Sequence, residues 1–248
     1  MNTIDHKNLP EILFEANQIA QSAGLKILEI YETDFSVVKK DDNSPLTLAD
    51  TEAHKIICES LSKLTPSIPI LSEESSHIDF SERSRWSQYW LVDPLDGTRE
   101  FIKKNGEFTV NIALVDGNKP ILGVVYVPVS ETSYIATINY GAHKSVKEND
   151  LKKISVRKAD INNITVAGSR SHGNDKQKTF ISNIKNADIL SIGSSQKFCL
   201  IAEGRADVYP RFGPTSEWDT AAAQCIVEES GGCVVDENFK PIQYNTKD

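Results

Sequence analysis

Five short β-rich runs between Pro69 and Thr137 most constrain what this chain can fold into. They are Pro69–Leu71, Tyr89–Val92, Phe108–Val115, Ile121–Val127 and Ser133–Thr137, and they are apolar on both faces. Successive side chains of a strand point to opposite sides, so such runs need helices over both faces of their sheet. Asp116-Gly117-Asn118 joins the third and fourth runs as a compact hairpin. Upstream the period is helical. Ile12, Ala16, Ile19, Ala20, Ala23, Ile27 and Ile30 predict a helix over Leu9–Ile30. A second is expected over Ala49–Leu64, burying Ala53, Ile56, Ile57, Leu61 and Leu64. Between them Phe35–Lys40 reads as a strand and Asp41-Asp42-Asn43-Ser44-Pro45 as a turn. Thr47-x-x-Asp50 has the form of a helix-opening capping pair.

The second half alternates instead. Strands are expected at Ile164–Gly168, Ile189–Ile192, Ala206–Tyr209 and Cys233–Val235, with helices at Lys176–Asn186, Ser195–Glu203 and Trp218–Ser230. Alternation of this kind favours an α/β layer, and Gly231-Gly232 ends the last helix. The polar, basic Lys144–Lys158 stretch reads as a loop joining the halves. The expected organisation is one domain over 1–248, with sub-halves near 1–150 and 151–248.

A chain of 248 residues can bury a large core. Its net charge of −8 argues against passive nucleic-acid binding, which needs a basic face. An anionic small ligand stays open, because metals and a few cations can reverse the field within one cleft. Cys58, Cys199, Cys225 and Cys233 form no CxxC pair, sit in apolar surroundings and read as buried reduced thiols. Met1–Pro10 has no apolar signal core, and no stretch reaches the roughly 18 apolar residues of a membrane span. A soluble, cytoplasmic protein is expected.

Carboxylates gather where apolar runs stop. Asp93-Pro94-Leu95-Asp96-Gly97-Thr98 follows the run ending at Val92, Glu73-Glu74 follows Leu71-Ser72, and Asp219 sits in Trp218-Asp219-Thr220-Ala221-Ala222. Taken singly each has an ordinary explanation. Asp-Pro and Asp-Gly are turn dipeptides, Glu73 could be a solvated loop acid, and Asp219 a first-turn acid favoured by its helix dipole. Together they are costly to assemble without cations between them. Mg²⁺ favours few carboxylates plus substrate phosphate, and paired ions can clamp both oxygens of an in-line displacement. Gly97 permits a tight turn whose next N–H groups can face an anion.

These motifs resemble the magnesium-dependent, lithium-sensitive phosphatase superfamily of inositol monophosphatases, fructose-1,6-bisphosphatases and 3′(2′),5′-bisphosphate nucleotidases. The resemblance spans about Leu9 to Tyr244. Thr98-Arg99-Glu100-Phe101-Ile102-Lys103, Asn105-Gly106-Glu107-Phe108, Ser194-Ser195-Gln196-Lys197-Phe198-Cys199 and Pro210-Arg211-Phe212-Gly213-Pro214-Thr215 are similar to its bacterial nucleotidase subgroup. The resemblance implies a layered αβαβα sandwich, α+β in character first and α/β afterwards. It further implies two or three Mg²⁺ ions held by Glu73, Asp93, Asp96 and Asp219 with the Leu95 carbonyl. Glu73, Asp93 and Leu95 would hold the ion that activates water, and Asp93, Asp96 and Asp219 the ion at the leaving oxygen. Gly97 and Thr98 N–H groups would hold phosphate oxygens, and Thr98, paired with Asp50, would orient the attacking water. Without the resemblance Asp50 reads as a helix-start acid and Thr98 as a cap. Glu74 takes no role.

His172, Ser194, Lys197 and Arg211 match nucleotide-contacting positions of the group. Read alone, His172 is a turn residue, Lys197 a solvated helix lysine and Arg211 a loop cation, although Arg211 could offer phosphate a planar fork. The implied activity is hydrolysis of adenosine 3′,5′-bisphosphate to AMP and phosphate, with 3′-phosphoadenylyl sulfate as a second substrate, in the clearance of a sulfate-assimilation by-product. The alternatives are an inositol monophosphatase or sugar bisphosphatase, and a non-catalytic nucleotide sensor. Relatives usually run past the position of Asp248 into a last edge strand, so fraying of the final sheet is expected. Peripheral attachment to the inner membrane, implied by some relatives, finds no amphipathic basic helix here.

Overall fold

The computed structural model describes residues 3–39, 45–75, 78–147, 149–169 and 175–246. The chain runs α1 (Leu9–Tyr31), β1 (Val37–Lys39), β2 (Pro45–Thr47), α2 (Leu48–Leu64), β3 (Ile70–Ser72), α3 (Phe80–Arg83) and β4 (Gln88–Asp96). It continues through α4 (Thr98–Ile102), β5 (Thr109–Asp116), β6 (Lys119–Val127), β7 (Thr132–Thr137), β8 (Gly141–Val146) and β9 (Lys152–Lys153). Then follow β10 (Thr165–Ser169), α5 (Asp175–Ser182), β11 (Asp188–Ile192), α6 (Gln196–Ala202) and α7 (Ala221–Glu229).

A seven-stranded sheet, in the order β3-β4-β5-β6-β7-β8-β9, forms the centre. Its pairs are antiparallel except β3 with β4. Helices cover both faces, as the strand pattern requires. On one side α1 and α2 bring Leu13, Ala20, Ile27, Ala53 and Ile57 to Trp90, Val92, Ile112 and Val124. On the other, α6 and α7 bring Cys199, Ala222 and Ile226 to Tyr89, Leu91, Ala113 and Val125. Neighbours in one strand thus feed opposite cores.

Two glycines set the layer spacing. A β-carbon on Gly24 of α1 would lie 2.4 Å from the Tyr126 ring, and one on Gly123 of β6 would lie 2.2 Å from the Ala222 carbonyl oxygen of α7. The middle strand therefore meets the α7 backbone directly on one side, and on the other meets α1 through its Tyr126 ring. Beyond α6, which contributes Leu200 to a third small core with Ala167 and Ala206, β10 and β11 pair in parallel around the α5 crossover. Helices, sheet, helices and small sheet follow in order, the layered α+β and α/β arrangement expected.

Several details differ from expectation. Ala206–Tyr209 and Cys233–Val235 form no full strands; each is reduced to a single bridge, Val166 with Val208 and Val235 with Pro241. Lys144–Lys158 is not all loop: β8 extends to Val146, and Lys152–Lys153 pairs with it as an edge strand. Lysines suit such an edge because they discourage pairing with another chain, and their polarity hid the strands. Pro45 opens β2 rather than closing a turn, and residues 41–44 of that turn lie outside the described residues. Ile56 and Leu64 are half-buried, Cys58 is half-buried and Cys233 is exposed beyond Gly231-Gly232. Gly231 itself, with φ 95°, ends α7 in the left-handed conformation. Among the described residues no helix is long and apolar enough to cross a membrane.

Candidate active site

The site is built on the end of β4. Its register with β5 runs Asp93 opposite Asn111 and then Asp96 opposite Thr109, so Pro94 and Leu95 together face one residue, Val110. Such a bulge bends a strand and re-aims its side chains. Gly97 completes the turn into α4 with φ 96°, and a β-carbon there would come 3.0 Å from the Glu107 carbonyl oxygen. Glu73 stands at the matching end of β3, where its N–H donates to the Val92 carbonyl at 3.0 Å. Parallel pairing thereby sets Glu73 beside Asp93. Asp219 arrives from far along the chain. It precedes α7 by two residues rather than lying in its first turn.

These four acids line one cavity of about 260 Å³, together with Leu95, Gly97 and Thr98 on one wall and Ser194, Lys197 and Arg211 on another. Of the expected site residues, only His172 lies outside the described residues. Asp50 stands behind the cavity and reaches it through Thr98.

Each aspartate is held by one oxygen. Asp93 Oδ1 accepts the Leu95 N–H at 3.0 Å. Asp96 Oδ2 accepts from Ser195 N–H at 2.6 Å and Ser195 Oγ at 2.7 Å. Asp219 Oδ2 accepts from Thr215 Oγ1 at 2.8 Å and Ser216 N–H at 3.1 Å. Among the described residues the second oxygen of each has no hydrogen-bond donor, and no three ligating side chains converge into a ready-made cluster. The mutual field is unfavourable. Burial first, then the charges of Glu73, Asp96 and Asp219, pushes the Asp93 carboxyl well above its ordinary range. Burial and then Asp96 push Asp219 up to about 6. The anchored aspartates, each with a spare oxygen and two of them, Asp93 and Asp219, with raised proton affinity, are hard oxygen donors and fit Mg²⁺.

Asp50 serves two functions at once. Its Oδ2 accepts from the Thr47 N–H at 2.7 Å and hydroxyl at 2.6 Å, closing the capping box of α2. Its Oδ1 accepts the Thr98 hydroxyl at 3.1 Å. The helix-cap reading and the Thr98-partner reading therefore describe the two oxygens of one carboxylate.

Lys197, on the same lining, is not a solvated lysine. It is buried, and its Nζ donates to the Ser194 carbonyl at 2.5 Å and more weakly to Ile192 at 3.4 Å. Burial lowers its pKa while the Asp96 charge opposes the shift. Arg211, exposed at the rim, donates to the Pro214 carbonyl at 2.8 Å. Neither makes an ion pair among the described residues. Sequence reasoning missed Ser195 and Thr215, which donate to Asp96 and Asp219, and Asn111, which donates to Ser195. Nothing local distinguishes Ser195 from Ser194, and only the folded chain brings it to Asp96.

The inositol monophosphatase family matches residues 8–248. Over 239 residues, 96% of this chain and 95% of the relative, the sequence is 46% identical to the 3′(2′),5′-bisphosphate nucleotidase CysQ of Escherichia coli strain K12. It is 47% identical to the CysQ of Buchnera aphidicola, over 94% of this chain and 86% of that one. The crystal structure of CysQ from Bacteroides thetaiotaomicron superimposes with a TM-score of 0.85 at 41% identity, covering 100% of this chain and 95% of that one. The inositol monophosphatase of Anabaena shares the fold, with a TM-score of 0.77 at 23% identity over 95% and 87% of the two chains.

Proposed function

The chain belongs to the inositol monophosphatase family, and on that footing we propose that it is a 3′(2′),5′-bisphosphate nucleotidase that hydrolyses adenosine 3′,5′-bisphosphate to AMP and phosphate. The observation that carries this reading is the mixed lining of one cavity. It holds four acids together with two cations, Lys197 and Arg211, that make no ion pair among the described residues. An inositol monophosphate has no second phosphate for those cations. A bisphosphate does.

Glu73, Asp93, Asp96 and Asp219, with the Leu95 carbonyl, would hold Mg²⁺, for which we propose two or three ions. When bound, Mg²⁺ supplies charge that lowers the pKa of water and offsets the charge of the phosphoryl group. Thr98 directs its hydroxyl proton to Asp50 Oδ1, which leaves its lone pairs free to accept a proton from the attacking water. Asp50, fixed by Thr47, keeps that hydroxyl oriented. The buried Lys197 has spent two donors on carbonyls and keeps a third for the second phosphate. Arg211 can close on the same group with its planar fork. His172 and Ser194 complete the proposed nucleotide contacts, and 3′-phosphoadenylyl sulfate is a proposed second substrate.

Phosphate release at matched concentrations of adenosine 3′,5′-bisphosphate, inositol monophosphate and a sugar bisphosphate tests the reading. Preference for the nucleotide is expected; a stronger preference for either rival would replace it. Thr98→Val should lower kcat by ~10²–10⁴-fold while Mn²⁺ binding, read by calorimetry, stays intact. Protons and Mg²⁺ compete for Asp219, whose folded-state pKa lies above the ordinary value of 3.8. A raised carboxyl pKa favours the folded state at low pH, and that contribution is lost as pH rises through about 6. Mg²⁺ should therefore raise the thermal midpoint more near pH ~7.5 than near pH ~5. An equal rise at both would count against this assignment.

A further inference from the structure

Ser195 sits where two of the acids meet. Its N–H and Oγ both contact Asp96 Oδ2, at 2.6 and 2.7 Å. The same Oγ lies 2.9 Å from the Asp219 carbonyl oxygen. One hydroxyl thus spans the side chain of one acid and the backbone of another, 24 residues from Ser195 along the chain. Because a serine hydroxyl has a single proton, the arrangement is three-centred. The shorter, charge-assisted branch to Asp96 is the stronger one.

Asn111 fixes the direction of that proton. Its Nδ2 donates to Ser195 Oγ at 3.0 Å, so the serine oxygen accepts from the amide and must spend its proton on the acid side. The reverse amide orientation would take the serine proton for itself and leave Asp96 with the Ser195 N–H and a weak contact from Thr109 Oγ1 at 3.4 Å. Asn111 is 1% exposed and sits opposite Asp93 in the register of β5. Among the described residues its Oδ1 is buried without a hydrogen-bond partner. A fold selected only for stability would avoid a buried unsatisfied acceptor. Here the orphan oxygen is what the chosen orientation leaves behind.

We propose that the Asn111–Ser195 pair is a positioning device that holds Asp96 and the Asp219 backbone at a set separation and so determines how tightly the site takes a divalent cation. The inference rests on the reading of Asp96 and Asp219 as cation ligands. Neither Asn111 nor Ser195 contacts the cation; both act through Asp96. The hydroxyl donates to Asp96 Oδ2 and keeps it occupied, while Oδ1 takes no donor among the described residues.

The test uses the full chain and Mn²⁺ as probe, with free Mn²⁺ read by electron paramagnetic resonance. Partners of ligating groups commonly govern ~10–100-fold of metal affinity. Ser195→Ala should weaken Mn²⁺ binding on the order of 10-fold, although its backbone N–H bond to Asp96 survives. Asn111→Ala should weaken it to a similar degree, and the double variant should be no worse than the poorer single one, because both act through one chain of contacts. Excess Mg²⁺ should restore most of the turnover in each. A merely structural role makes a different forecast, namely a lower thermal midpoint with unchanged Mn²⁺ affinity. That result, or fully additive losses in the double variant, overturns the proposal. Asp96→Asn separates the two levels. If it leaves Mn²⁺ binding unchanged, the ligand reading itself falls; if it weakens binding while Ser195→Ala does not, only the positioning role falls.

Discussion

Asp93→Asn is expected to reduce phosphate release on the order of a thousandfold while leaving the fold unharmed. The two outcomes have opposite signs because the same carboxylate is an electrostatic burden and a chemical necessity. Asp93 is 1% exposed. Its proton affinity is raised by burial and by three neighbouring acids. Asparagine is nearly isosteric, retains an oxygen for the Leu95 N–H, and removes one charge from a mutually repelling group. Without divalent cation the variant should therefore melt at or above the parent midpoint. With Mg²⁺ the order should reverse, since the variant loses the ligand that both proposed ions share. Differential scanning fluorimetry with and without Mg²⁺, beside a phosphate-release assay, reads both halves. A variant that keeps near-parental turnover would remove Asp93 from the centre of the site.

The second large effect concerns the fold. Gly123→Ala should destabilise the protein by about 3 kcal/mol, whereas Gly24→Ala should cost distinctly less. Both glycines stand where a helix meets β6, and the contrast lies in what a methyl group would meet. At Gly123 the obstacles are the Ala222 carbonyl oxygen at 2.2 Å and its carbon at 2.9 Å, all backbone. Relief would require moving α7, which begins just after Asp219 and Thr220. At Gly24 the obstacle is the buried Tyr126 ring, a side chain rather than backbone, and the clash is partly offset because the helix gains about 1 kcal/mol when glycine becomes alanine. Urea unfolding midpoints of the two variants measure the difference. If Gly123→Ala does fold, its cation affinity should fall as well, because α7 carries the segment bearing Asp219. Equal midpoints for the two variants would show that the layers are not held at backbone distance.

The two readings of Asp50 show how far local pattern reaches. Thr47-x-x-Asp50 is a capping signature that depends on four consecutive residues, and α2 opens with it. The bond from Thr98 to the other oxygen of Asp50 spans 48 residues, and no local rule contains it. The same division runs through Lys197. Helical spacing placed it near the start of a helix, but its burial and its folding back onto Ser194 depend on how α6 packs between two sheets.

What the sequence determined by itself was local or strongly periodic. The two long helices, the strands apolar on both faces, the Asp93–Thr98 turn and the family carrying it were all legible, because each depends on neighbours a few residues apart. Tertiary structure alone decided the rest: the bulge that aims Asp93 and Asp96, the last two strands of the sheet hidden among lysines, the bridges where strands were expected, and the Asn111–Ser195 contact with Asp96. Those depend on which segments pack together. A serine or an asparagine looks the same in sequence whether it faces water or holds an acid in place.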